Sequence, residues 1–439
     1  MTGGRAIIIG GGIGGLLASM AAAPSFQEVV LLERDAAWGS GEPRGGAPQG
    51  RHPHTLLCGG ADAMESLCPG TLEDLRAGGA VEVDFCADLS FFHFGVWKAR
   101  CPSSLKGTMQ TRPLLEAVLA KRATALSNLV HRQGKVLGLL GDPRRVTGVR
   151  VQQGDGVALE PADLVIDASG AGSRLPRWLA ELGRAPAPEE RIPLDVRYAT
   201  SAWTMTGASD RDWRALILYP KAPTERRAGY VFPVEGGRHL VALAGYLGEQ
   251  PPLDAAGFRA YARTLPQPAL DEAIARGEPA GAIHGFRLPA QRRRRFDRLR
   301  EPPIGLVAIG DSVCVLDPLF GQGMTVAARQ AVLVRDFLAG GLADNASAFR
   351  RLHKRVVAAT ELSWLLTSSE AFRYREALGP GEPVHQLLQA YAARIFRLSR
   401  DHADVYRAFM GLMHLTAPLG SVFTPSLLWA SLTARPAPS

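Results

Sequence analysis

Cysteine is scarce in this chain of 439 residues: there are five, an odd number, and no two stand in a Cys-x-x-Cys spacing. A disulfide-stapled module is thereby excluded and no zinc motif is present, so no metal site is expected and a reducing, cytoplasmic setting fits best. Lysine is scarce too, with six residues against 44 arginines. The formal charge of +8 therefore rests on arginine, a bias that GC-rich coding produces. The densest basic run, Arg292 to Arg295 with Arg298 and Arg300, lacks the interleaved aromatics that stack on bases. It reads as a solvated face or turn, and no nucleic-acid partner is expected. Long apolar runs are missing as well; the stretch from Ala6 to Ala23 is broken by five glycines, which argues against a secretory core. What remains is ordinary globular composition, 46% hydrophobic, on a chain longer than one core usually serves.

The glycines have a pattern. Arg5-Ala-Ile-Ile-Ile is a short β-branched run that meets Gly10-Gly-Gly12-Ile-Gly-Gly15 and then an Ala/Leu-rich helical stretch. Strand, tight turn and helix in that order make a dinucleotide fingerprint. Gly10 permits the turn, Gly12 lets backbone approach a diphosphate, and Gly15 packs helix on strand. The next strand, Glu28 to Glu33, ends on an acid placed to accept a ribose hydroxyl, followed by Arg34. Near the far end, Gly305 to Gly310 is another buried-type strand, closed by Asp311 and followed by Pro318, Gly321-Gln322-Gly323-Met324 and a helical run from Thr325 to Leu338. A carboxylate at such a strand end can accept hydroxyls, and the new helix directs partial positive charge at a bound ring.

With these residues in place, the chain resembles the FAD-dependent monooxygenases of the 4-hydroxybenzoate hydroxylase type. Gln110-Thr-Arg112-Pro-Leu-Leu-Glu116 is similar to the helix start whose arginine meets the cofactor phosphates, and Val136 stands where such proteins touch adenine. The closest likeness is to a branch with bacterial polyether epoxidases and squalene epoxidase, carried by Pro48-Gln-Gly-Arg-His-Pro-His54, Asp167-Ala-Ser-Gly-Ala-Gly-Ser-Arg174, Tyr230-Val-Phe-Pro-Val-Glu-Gly-Gly237 and a helical tail. The resemblance implies FAD as cofactor, O2 as co-substrate and a flavin C4a-hydroperoxide as oxidant. It implies alkene epoxidation or else aromatic hydroxylation of an apolar natural-product intermediate in secondary metabolism.

It further implies cofactor contacts from Arg44 and Arg51 on the glycine-rich loop before His52 and His54, from Asp167, and from Gly310 and Asp311. Pro318, Gly321 and Gly323 would shape the reacting side of the flavin, with no side-chain base assigned. One departure is Ser169-Gly170 where the hydroxylases carry Asp-Gly, a pair associated with holding both FAD and NAD(P)H. A second G-x-G-x-x-G is absent, so NADPH or NADH docks transiently or a separate flavin reductase supplies electrons. The Asp-x-Ser-Gly arrangement is similar to that of flavin-dependent halogenases, though their Trp-x-Trp-x-Ile-Pro segment is missing. A non-redox, FAD-bound cyclase or isomerase is the remaining alternative.

The expected fold is α/β: a Rossmann-like FAD domain built from residues 1–80, 105–190 and 287–340, a mainly antiparallel sheet from 81–104 and 191–286, and a helical region over 341–439. Alternation predicts strands over Leu194 to Met205, Ala215 to Pro220, Gly229 to Val234 and His239 to Gly245. Tyr198, Trp203, Met205, Tyr219, Tyr230 and Phe232 are the candidate substrate contacts, an apolar set. Pro380, Pro383, Pro418 and Pro425 mark breaks in the tail. Its helices are expected to pack on the FAD lobe, with a peripheral membrane contact as the lesser reading.

Overall fold

The computed structural model describes residues 4–154, 156–205, 211–379 and 381–433. Near-continuous apolar runs such as Ala6–Ile9 and Val29–Leu32, with no polar alternation, suit strands covered on both faces. They lie in a parallel five-stranded sheet ordered Leu306–Ala308, Leu164–Asp167, Arg5–Ile9, Glu28–Glu33, Leu129–Gln133. Two helices, Ile13–Ala22 and Gly323–Leu338, pack together against this sheet, joining both glycine-bearing turns in one lobe.

The second lobe is an eight-stranded sheet. Its long members are Val196–Met205, Arg238–Gly245 and Arg227–Val234, all antiparallel, and Leu89–His93 joins in parallel to Ala215–Leu218. The alternating segments thus form the sheet that their pattern predicts, with ends displaced by a residue or two. One face of this sheet closes on the first lobe. The other carries its own core, in which Trp203, Met205, Val231 and Leu243 meet Phe258 and Leu270 from two short helices, Ala255–Ala262 and Ala269–Ala275, and Leu265 from the segment between them.

That division corrects the candidate substrate set. Side chains alternate faces along a strand, so Tyr198 and Trp203, an odd number of positions apart, cannot point the same way. Trp203 stacks near Phe258 at 6.2 Å with Arg259 over its ring, and Met205 lies in the same outer core. Neither belongs with the substrate contacts.

The arginine run is also corrected. Gln291–Arg294 is a strand paired with Glu189–Ile192, and Arg293 and Arg294 are buried. Arg293 bridges Glu190 at 2.7 Å and Glu361 at 2.8 Å, while Arg295 holds Asp297 at 2.6 Å. Interleaved acids from another strand turn a supposed solvated face into a cross-strand charge ladder. Such acids are invisible to a local reading because they lie about a hundred positions upstream.

From Ala346 onward the chain is helical, and Pro383 and Pro425 each begin a helix, where a missing N–H costs nothing. Pro380 lies outside the described residues. Helices Pro383–Leu398 and Ala403–Met413 pack on each other and lay their apolar faces over one end of the large sheet. No helix among the described residues is long and apolar enough to cross a membrane.

Candidate functional site

The three fingerprint glycines are required for different reasons. Gly10 has φ +98°, and a Cβ there would stand 2.7 Å from the Ala168 carbonyl. At Gly15 a Cβ would fall 1.7 Å from the Gly10 oxygen, so helix and turn can meet only without one. Gly12 is unlike both: a Cβ would find no backbone, only the guanidinium ends of Arg44 at 3.5 Å and Arg112 at 3.9 Å. Two cations converge on an open backbone at a helix start, which is a cradle for a diphosphate.

Acids hold those cations in place. Arg44 is buried and bridges Glu33 at 3.1 Å and Glu116 at 3.0 Å; Arg112 takes the other oxygen of Glu116 at 2.8 Å. Glu33 also accepts from the Gly11 N–H at 2.7 Å and the Asp35 N–H at 3.0 Å. The strand-end acid therefore positions the glycine turn. Gly134 donates to the Glu33 carbonyl at 2.8 Å, which brings the buried Val136 to the same edge. Arg34 and Arg51 are exposed, outside this charge cluster.

Several contributors escape a reading by motif. Trp38 donates its indole N–H to the Gly11 carbonyl at 2.8 Å and stacks on His131 at 4.0 Å. Glu235, from the large sheet, accepts from both the N–H and the hydroxyl of Thr111, the residue that caps the Arg112 helix. The second lobe thus fixes where Arg112 starts. The glutamate was in plain view in the Tyr230–Gly237 motif, but nothing local says what it caps.

Asp167 is engaged by its own turn. Its carboxylate is wholly buried and accepts from the Ser169 N–H at 3.0 Å and from the hydroxyls of Ser169 and Ser173, both at 2.5 Å. Three donors from its own turn converge on it, so it braces this end of the sheet. Asp311 differs: burial raises its pKa, Arg112 and Arg292 oppose the rise, and its oxygen lies 3.8 Å from where a Cβ on Gly323 would be. Gly310 preceding it has φ +62° and donates to the Gln330 side chain at 2.6 Å. Asp311 thus faces the turn Gly321–Met324 that opens the long helix. The Gln322 side chain turns away and donates to the Met413 carbonyl at 3.0 Å, tying this turn to the helical tail.

The loop at His52 crosses between the lobes. His52 Nδ1 meets the Thr200 hydroxyl at 2.8 Å, and His54 places Nδ1 2.8 Å from the His52 carbonyl and Nε2 3.4 Å from Arg112. Burial lowers their pKa values to about 4 and about 3, so both are neutral near pH 7.

Over the Pro318–Gly321 turn lies a chamber with about 740 Å³ of empty space, part of it open to solvent, walled by Tyr198, Tyr219, Tyr230, Phe232, Phe91 and Met109 among others. Four of the six residues named from alternation therefore surround one cavity. Asp317, just before the turn, accepts from Tyr246 at 2.6 Å and from the Leu319 N–H at 3.1 Å, and burial lifts its pKa to about 6.

The residues present fit FAD: two arginines beside an open glycine backbone at Gly12, an acid at the end of the second strand, a second acid at Asp311, and an apolar chamber over a glycine turn at a helix N-terminus. No family model matches the chain. It is 30% identical over 346 residues to Protein Rv3254 of Mycobacterium tuberculosis, spanning 74% of this chain and 71% of that one. It is 26% identical over 227 residues to squalene epoxidase 2, mitochondrial, of Arabidopsis thaliana, spanning 50% and 35% of the two chains. Among solved structures, the flavin-dependent brominase Bmp2 superposes with a TM-score of 0.68 at 16% identity over 94% of each chain. p-Nitrophenol 4-monooxygenase PnpA of Pseudomonas putida DLL-E4 gives 0.66 at 17% identity, covering 94% of this chain and 99% of its own.

Proposed function

The chain belongs to the family of Protein Rv3254, and we propose that it is an FAD-dependent monooxygenase that transfers one oxygen atom from O2 to an apolar substrate, by epoxidation of a carbon–carbon double bond. One observation carries the choice of reaction. The chamber has no charged base: its tyrosines at 198, 219 and 230 are driven by burial to pKa values above 10, and its one histidine, His414, is lowered to about 3. Hydroxylating a phenol gains from a base that ionises the ring, whereas an alkene needs none. The apolar walls likewise suit a neutral olefin.

Bound FAD would supply the reaction of a reduced flavin with oxygen. The chain's own residues bind, aim and enclose. Arg44 and Arg112 would hold the diphosphate of FAD, Glu33 would accept from its adenosine ribose, and Asp311 would accept from its ribityl chain. The N–H groups of Gly321 to Met324, at the start of the long helix, lend positive potential to the ring edge. Pro318, Leu319 and Phe320 floor the chamber and exclude water, and Tyr198, Tyr230 and Phe232 press the substrate toward that floor. Electrons come from NADPH or NADH docking transiently, or from a separate flavin reductase.

The test is oxygen uptake by FAD-loaded protein given NADPH, or a reductase, with candidate olefins and phenols. Uptake dependent on an olefin, with a product heavier by one oxygen and indifferent to bromide, is expected. Bromine-dependent product, an isomerised product without oxygen uptake, or failure to bind FAD overturns the reading.

A further inference from the structure

A second cavity lies beyond the chamber wall, with about 1060 Å³ of empty space, part of it open to solvent, between the end of the large sheet and the C-terminal helices. Its sides are Leu366, Leu388, Tyr391, Ile395 and Phe423, with Asp317 and Tyr246 at the inner end. Tyr219, Leu319, Phe320 and Met413 line both cavities. The partition is therefore one side chain thick. Tyr219 stands in it, wholly buried, with its ring edge-on to Phe91 at 5.2 Å and its hydroxyl donated to the Leu319 carbonyl in the turn under the chamber.

We infer that the cavity under the C-terminal helices is a second binding compartment, for an apolar chain, and that Tyr219 is the specificity-determining partition between it and the chamber over the Pro318–Gly321 turn. The inference rests on the proposed site for the geometry of the reacting end, but the compartment is a separate claim. A substrate confined to the chamber gains nothing from length beyond its walls. One that displaces the Tyr219 ring can lay its remaining chain under helix Pro383–Leu398, where each methylene kept from water gains roughly fourfold in affinity. The hydroxyl of Tyr219 has one acceptor, a turn carbonyl, so a swing of the ring leaves no charge unpaired. The same swing releases the turn that carries Pro318, so filling of the far compartment is coupled to the floor of the near one.

The experiment measures binding of saturated alcohols, octanol, dodecanol and tetradecanol, to the FAD-loaded protein by calorimetry, so that turnover plays no part. Native protein should bind tetradecanol more tightly than octanol by about tenfold or more. Ala392→Trp places bulk on the half-buried wall of the far cavity and should abolish that preference while leaving octanol unchanged. Tyr219→Ala should strengthen binding of the long alcohols relative to Tyr219→Phe, which keeps the wall. Affinity independent of chain length in native protein, or unaffected by Ala392→Trp, overturns the compartment. Equal length preference in the two Tyr219 variants overturns the partition. Flavin absorbance and olefin-dependent oxygen uptake are followed in parallel; their loss in native protein would remove the proposed reaction without touching the alcohol result.

Discussion

Tyr246 donates a 2.6 Å hydrogen bond to the buried carboxylate of Asp317. The pair joins the end of a strand in the large sheet to the turn that floors the chamber, so a sheet movement is felt at Pro318. Tyr246→Phe removes a donor to a buried acid and should cost about 1–3 kcal/mol of stability. It should also raise the Asp317 pKa above about 6, because the lost bond favoured the charged form. Thermal unfolding and the acid limb of the activity profile check the two halves.

The glycine turn yields a contrast. Gly15→Ala sets a methyl 1.7 Å from the Gly10 oxygen and should lower the stability of the flavin-free protein itself. Gly12→Ala meets nothing nearer than Arg44 at 3.5 Å, so the fold should persist while FAD is lost. Melting temperature without flavin, set beside flavin content, separates the two; equal stability losses would sink the cradle assignment.

Acid sensitivity should be pronounced. His52 has its folded pKa lowered from 6.5 to about 4 by burial, so its contribution is present above pH 6.5 and lost as pH falls toward 4. At pH 5 that one residue takes away about 2 kcal/mol relative to neutrality. His54, His239, His353 and His414 are lowered in the same direction. Asp317 acts oppositely: its raised pKa gives stability that is present below 3.8 and lost as pH rises through about 6. The histidines outnumber it, and unfolding temperature should drop between pH 7 and pH 5. A flat profile contradicts the burial of these rings.

Parity along the Val196–Met205 strand makes a further prediction. Trp203→Ala should cost about 3–5 kcal/mol, as emptying a core does, and leave substrate preference unchanged. Phe232→Leu, on the chamber side, should change KM for the olefin with little effect on unfolding. The reverse pattern would show that the faces are exchanged.

The nucleotide turn was legible because the spacing of Gly10, Gly12 and Gly15 between a strand and a helix is itself local, although only Gly15 answers to a near neighbour, the Gly10 oxygen; Gly10 answers to Ala168 and Gly12 to Arg44 and Arg112. The strand positions in the large sheet were equally legible from alternation. Which face each aromatic takes was also available, since Tyr198 and Trp203 differ in parity, and grouping them together ignored it. Other features had no local sign. Glu235 caps Thr111, Arg293 pairs Glu190 and Tyr246 holds Asp317, and each pair is brought together only by the folding of separate strands. The bonds from Ser169 and Ser173 to Asp167 had no local sign either.

In the parallel sheet, Leu306–Ala308 lies beside Leu164–Asp167, which lies beside Arg5–Ile9. The diphosphate cradle at Gly12 and the acid at Asp311 therefore come from stretches of chain that leave the ribosome on the order of tens of seconds apart. From its own synthesis until that of Leu306–Ala308, the Leu164–Asp167 strand has an open apolar edge, ready to pair with whatever strand it meets. Nascent chains should depend on chaperones for that period, and FAD can be captured at full strength only after the last strand has closed the edge.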